Sequence, residues 1–137
     1  MKRFLVFLVA AFAAQSAAAE ELTYHCKVKG RDGWIAPEYY FRLDPETGKA
    51  QVINGYHDWT DADLITRKNS TYQMTWRVTL QSSQGQAIRM RYQANLNQDN
   101  NKVKVRGTFG NVSASNKPYG TGNCAIVEHD PVWREQG

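Results

Sequence analysis

Two long runs of strict alternation dominate the chain. Tyr72, Met74, Trp76, Val78 and Leu80 alternate with Gln73, Thr75, Arg77, Thr79 and Gln81. After a short polar break, Ile88, Met90, Tyr92, Ala94 and Leu96 alternate with Arg89, Arg91, Gln93 and Asn95. Successive side chains of a strand point to opposite faces, so a period of two predicts half-buried antiparallel strands. Loop length then sets the register. If Ser83-Gln84-Gly85 form a three-residue loop with Gly85 in the left-handed region, Leu80 faces Ile88, Val78 faces Met90, Trp76 faces Tyr92 and Met74 faces Ala94. A two-residue loop would set Trp76 against Arg91 and turn one strand's apolar set out of the core.

The same reasoning extends downstream. With Gln98-Asp99-Asn100-Asn101 as a four-residue loop, Leu96 faces Val103, Ala94 faces Val105, Tyr92 faces Gly107 and Met90 faces Phe109. A glycine opposite an aromatic predicts a bend with the Tyr92 ring lying over the missing side chain. Beyond Asn111 a loop through Ser113, Asn116 and Pro118 leads to a last strand from Gly122 to Val127.

Upstream, Leu22, Tyr24, Cys26 and Val28 alternate with Thr23, His25, Lys27 and Lys29 as a first strand, ended by Gly30-Arg31-Asp32-Gly33. Tyr39, Phe41 and Leu43 mark a second strand. Asp44-Pro45-Glu46-Thr47-Gly48-Lys49 is a turn in which Pro45 presets φ, Asp44 bonds the backbone and Gly48 supplies positive φ. Ala50 to Asn54 follows as a third strand. From Gly55 to Asp63 the alternation fails, and the stretch reads as a loop or one helical turn with Asp58 or Asp61 as cap. Leu64 to Arg67 reads as a short fourth strand.

These segments predict an all-β, single-domain protein of about eight strands in an up-and-down antiparallel meander. An even count sets the first and last strands antiparallel to each other, so closure into a small barrel removes both sheet edges. A two-sheet β-sandwich has a similar signature.

Residues 1–19, with Lys2 and Arg3 before an apolar run and Ala17-Ala18-Ala19 before Glu20, read as a secretory signal peptide cut after Ala19. The apolar run is shorter than the roughly 20 residues a spanning helix needs. The mature chain, residues 20–137, is then a single domain in the periplasm or outside the cell. Export makes Cys26 and Cys124, near its two ends, a disulfide, one that joins first strand to last.

Charge changes the picture more than composition does. The formal net charge of +4 includes Lys2 and Arg3 and conceals a segregation. Nine acidic and five basic residues lie between Glu20 and Asp63, but nine basic residues and one acid, Asp99, lie between Leu64 and Val127. In the registers above, Arg77, Arg89, Arg91, Lys102, Lys104 and Arg106 all point outward, with Arg77 directly opposite Arg91. Like charges across a strand pair are mildly destabilising. Their concentration on strands without an acidic residue points to an anionic ligand, a lipid head group or an acidic protein surface. The plain alternative is a solvated face that discourages aggregation. Nucleic acid fits poorly, since exposed aromatics do not interleave the charges.

Other chemistries find less support. Tyr56 to Asp63 carries three carboxylates and His57 but lacks the ligand order of an EF-hand loop, so no metal or cofactor is expected. His25, His57 and His129 sit in no hydrolase motif, and both cysteines are committed, so the chain does not read as an enzyme. The bulk of Tyr72, Met74, Trp76, Met90, Tyr92 and Phe109 predicts a filled barrel rather than a carrier of a small apolar ligand. In outline, an exported small barrel with an end-to-end disulfide resembles the periplasmic lysozyme inhibitors, and the meander resembles lipocalins or avidins. Gly33-Trp34 does not stand at the lipocalin Gly-x-Trp position, and the likeness is architectural. The resulting expectation is a non-enzymatic exported binding protein that contacts an acidic partner through its basic outer face. A carrier or a hydrolase inhibitor is the alternative.

Overall fold

The computed structural model describes residues 21–68, 70–112, 117–129 and 131. The expected leader and its cleavage point lie outside the described residues. Eight strands, β1 (Leu22–Gly30), β2 (Glu38–Asp44), β3 (Lys49–Asn54), β4 (His57–Arg67), β5 (Thr71–Gln81), β6 (Ala87–Asn97), β7 (Lys102–Phe109) and β8 (Tyr119–Val127), follow one another in space as in sequence. All neighbours are antiparallel, and β1 pairs with β8 to close a barrel. The sandwich alternative is excluded by that closure.

The hairpin registers match the expectation. Trp76 opposes Tyr92 and Leu80 opposes Ile88, with Gly85 at φ +82° in the loop. In the next pair Leu96 opposes Val103 and Tyr92 opposes Gly107. An added Cβ at Gly107 would stand 2.9 Å from Cε1 of Tyr92, so the ring does cover the missing side chain. At the β2–β3 turn, the N–H of Gly48 donates to the Asp44 carbonyl at 3.1 Å with Gly48 at φ +72°.

Two segments differ from expectation. Gly55 to Asp63 is neither a loop nor a helical turn, because β4 already begins at His57 and runs without interruption through Arg67. Its signal was hidden for two reasons. The register against β3 slips between Val52 and Asn54, so a bulge breaks the parity. The positions on the core side of β4, Thr60, Ala62 and Thr66, are also small or polar, leaving Leu64 as the one large apolar residue. The turn itself is made by Asn54, whose Oδ1 accepts the N–H groups of Tyr56 (2.7 Å) and His57 (3.3 Å). The second difference is β8, which starts at Tyr119 rather than Gly122. Its core-facing positions there, Gly120 and Gly122, carry no hydrophobic signal.

Side chains fill the barrel interior. Trp76 stacks on Tyr92 with centroids 5.5 Å apart and meets Tyr39 and Phe41 edge-on at 6.2 and 5.8 Å. The Trp76 Nε1–H has no acceptor among the described residues, so packing alone holds the indole. One end of the barrel is plugged by the β1–β2 loop. Ile35 and Ala36 are buried there, and Trp34 packs edge-to-face on Phe109 at 5.3 Å. The Tyr92 hydroxyl donates to the Trp34 carbonyl at 2.7 Å and the Tyr56 hydroxyl to the Gly33 carbonyl at 2.7 Å. Burial pushes the Tyr92 phenol far above its usual range, keeping it a donor. The Cys26–Cys124 disulfide ties β1 to β8 at the closing seam.

Candidate anion-binding surface

Filling the interior leaves the outer face as the place to look for chemistry, and it divides into three zones. The first, over β1 to β3, is covered. Tyr40 and Ile53 point outward but are buried, with the His25 ring stacked on Tyr40 at 4.3 Å and the His129 ring meeting it at 6.3 Å. His25 Nε2 lies 2.8 Å from Glu38 Oε2. In this segment the rings and the His25–Glu38 contact hold the outer face of β1 to β3 together.

The second zone is a broad groove across β2 to β6, lined among others by Arg42, Asp61, Asp63, Arg77 and Arg91. Arg77 stands directly opposite Arg91, as the register required. Strands β5 and β6 carry no acid, but β4 lies beside β5 and brings two outward carboxylates with it. Asp63 opposes Thr75, two residues from Arg77 on the same face, and Asp61 lines the same groove. Nearby, the Arg42 guanidinium sits over the Trp59 ring at 3.9 Å, which gives that cation a neighbour of its own. The arginine pair thus borders mixed charge.

The third zone is where lysines gather, with one acid, Glu38, opposite Lys27 at its edge. On β7, Lys102 and Lys104 point outward opposite Asn123 and Thr121 of β8. On the other side of β8, Lys27 and Lys29 of β1 face the same two residues. A groove of about 580 Å³ runs over this seam, lined by the four lysines and by Thr121, Gly122 and Asn123, with no carboxylate in its walls. All four lysines are exposed. Beside Lys27, Glu38 is engaged by His25 and not by the lysine.

Barrel closure creates this groove. Lys27 and Lys29 lie on the first strand, in the acid-rich half of the sequence, and β8 brings them beside Lys102 and Lys104. Strand alternation marks all four as outward, but only the end-to-end disulfide hinted that β1 and β7 flank the same strand. Gly122 lies between Thr121 and Asn123 on the core side of β8, opposite Val28 of β1. An added Cβ there would strike the Lys27 carbonyl oxygen and lie 2.8 Å from Val28 Cα, so β8 sits tightly against β1. The remaining two sequence-derived cations lie outside the groove. Arg106 opposes Gln93 and Tyr119, and Arg89 opposes Thr79 near the β5–β6 loop.

The chain matches no protein-family model, no curated protein and no solved structure. Its own geometry therefore carries the functional argument.

The histidines offer little for catalysis. The Thr60 hydroxyl lies 3.1 Å from His57 Nδ1, the spacing of a nucleophile and its base. That nitrogen also faces the Asp58 carbonyl at 2.8 Å, which requires it to carry the proton, while Nε2 accepts from the Asn54 amide at 3.3 Å. With its lone pair turned to Asn54, His57 cannot take a proton from Thr60. Burial lowers its pKa further, holding the ring neutral. Among the described residues no group of three or more His, Cys, Asp or Glu is placed to hold a metal ion.

Proposed function

We propose that this chain is an exported, non-enzymatic binding protein that holds an acidic partner against its outer basic face. One observation carries the reading. The outward cations Arg77, Arg89, Arg91, Lys102, Lys104 and Arg106 continue across the closing seam to Lys27 and Lys29, and none of the eight forms an ion pair among the described residues. Eight exposed positive groups on neighbouring strands repel one another, a cost that an acidic partner removes. A filled core counts against a carrier. The disulfide and the absence, among the described residues, of any helix long and apolar enough to cross a membrane fit an exported protein.

The test is retention on vesicles of phosphatidylcholine carrying an anionic lipid, and on an immobilised acidic protein, at low and at high salt. Retention on at least one surface at low salt, lost at high salt as screening requires, supports the proposal. Absence of retention on both at low salt overturns it.

A further inference from the structure

We infer that the lysine groove over β8 is a specific site for a compact phosphate group, either a diphosphate in solution or the phosphomonoester of a lipid head group. This inference rests on the basic-face reading and narrows it to one place and one chemistry. The four lysines stand at the corners of a rectangle. Alternate residues on a strand are about 6.7 Å apart and the two outer strands of a triplet about 9.6 Å apart. Lys27 and Lys102 close one long side across Asn123, while Lys29 and Lys104 close the other across Thr121. Flexible side chains rooted at those corners can bring all four ammonium groups onto one anion above the middle strand.

The charge of the site selects the ligand. Four cations within about one Debye length of each other are poorly matched by a single carboxylate and well matched by a group bearing two or more negative charges. Lysine binds phosphate as a compact point charge with three donors, without the planar fork with which arginine grips a carboxylate. All four corners are lysine, whereas three of the four cations elsewhere on β5 to β7, Arg77, Arg89 and Arg91, border the hairpin and one, Arg106, lies beyond the groove. Thr121 and Asn123 add a hydroxyl and an amide between the charges, both neutral donors suited to phosphate oxygens. The groove has no acid in its walls, unlike the Arg77–Arg91 groove with Asp61 and Asp63.

The experiment follows backbone amides by ¹H–¹⁵N NMR at low salt during titration with inorganic diphosphate, with malonate as a carboxylate control. It compares the parent with Lys27→Gln/Lys104→Gln, which removes diagonal corners of the groove, and with Arg77→Gln/Arg91→Gln, which leaves the groove intact. Unchanged amide dispersion shows that each variant folds. Diphosphate is expected to shift the amides of Thr121 to Asn123 saturably and more tightly than malonate. Affinity should fall about tenfold in the lysine variant, as expected for two lost charge contacts, and change less than twofold in the arginine variant. Shifts spread evenly over β5 to β8, with equal weakening in both variants, overturn the groove and leave the basic-face reading standing. No shift with either anion, together with no retention on anionic surfaces, overturns both. A parallel arm uses phosphatidic acid vesicles. Binding that diphosphate displaces assigns the site to a lipid phosphate, and diphosphate binding without vesicle binding assigns it to a soluble one.

Discussion

Closure of the barrel depends on how near β8 lies to β1, and three Gly→Ala substitutions measure that distance energetically. At Gly33 an added methyl meets nothing within 4 Å. The substitution should be neutral or stabilise by about 0.5 kcal/mol through the unfolded chain. At Gly107 the methyl would lie 2.9 Å from Tyr92 Cε1 and 3.2 Å from Met90 Cε. Those atoms belong to side chains, but the Tyr92 ring is stacked on Trp76 and its hydroxyl is bonded to the Trp34 carbonyl. Overpacking of this kind costs about 1–3 kcal/mol, and about 2 is expected. At Gly122 the obstacle is backbone: the Lys27 carbonyl, with its carbon at 2.7 Å, and Val28 Cα at 2.8 Å. No side chain can rotate away, and the Cys26–Cys124 bridge two residues along holds the strands together. Relief requires parting the ladder locally, which adds the loss of one or two hydrogen bonds at about 1 kcal/mol each to the overpacking. The expected cost is about 3–4 kcal/mol.

Urea denaturation of the oxidised proteins gives the three values directly. In a domain of this size each kcal/mol also moves Tm by about 4 °C, so Gly122→Ala should melt about 12–16 °C below the parent. A double-mutant cycle separates the mechanisms. Tyr92→Leu should absorb most of the Gly107→Ala penalty, whereas Val28→Ala should leave the Gly122→Ala penalty almost whole. A Gly122→Ala protein within 1 kcal/mol of the parent would refute the tight β1–β8 seam, and with it the placement of Lys27 and Lys29 beside Lys102 and Lys104.

Two further outcomes follow from the same structure. Removing the bridge with Cys26→Ser/Cys124→Ser frees a loop spanning 98 residues in sequence, and the chain-entropy estimate for such a loop is about 4–5 kcal/mol. Denaturant curves of parent and variant without reductant should differ by that amount, and an unchanged midpoint would contradict the assignment. His57 supplies a pH dependence. Burial lowers its pKa below the ordinary 6.5, so below pH 6.5 the unfolded chain takes up a proton that the folded chain resists. Its contribution is complete above pH 6.5 and lost as pH falls through and below that value. His57→Gln should therefore have a flatter stability profile than the parent on the acid side of pH 6.5, and parallel profiles would count against the buried neutral ring.

Alternation alone determined most of the fold. Trp76 against Tyr92, Leu96 against Val103 and the bare Gly107 under an aromatic ring all followed from period two and loop length, because a one-residue slip would turn a whole apolar face to water. It also marked every outward cation. Alternation had no grip where the core side of a strand is small or polar, as at Thr60 and Ala62 of β4 and at Gly120 and Gly122 of β8, or where the bulge after Val52 changes the parity. Only the tertiary structure decided which outward charges share a neighbourhood. It set Asp61 and Asp63 beside the arginine pair and carried Lys27 and Lys29 across the seam to Lys102 and Lys104. The physical reason is that a strand's pattern specifies which face each residue takes, while the residues facing it from the other side of the seam are specified by closure.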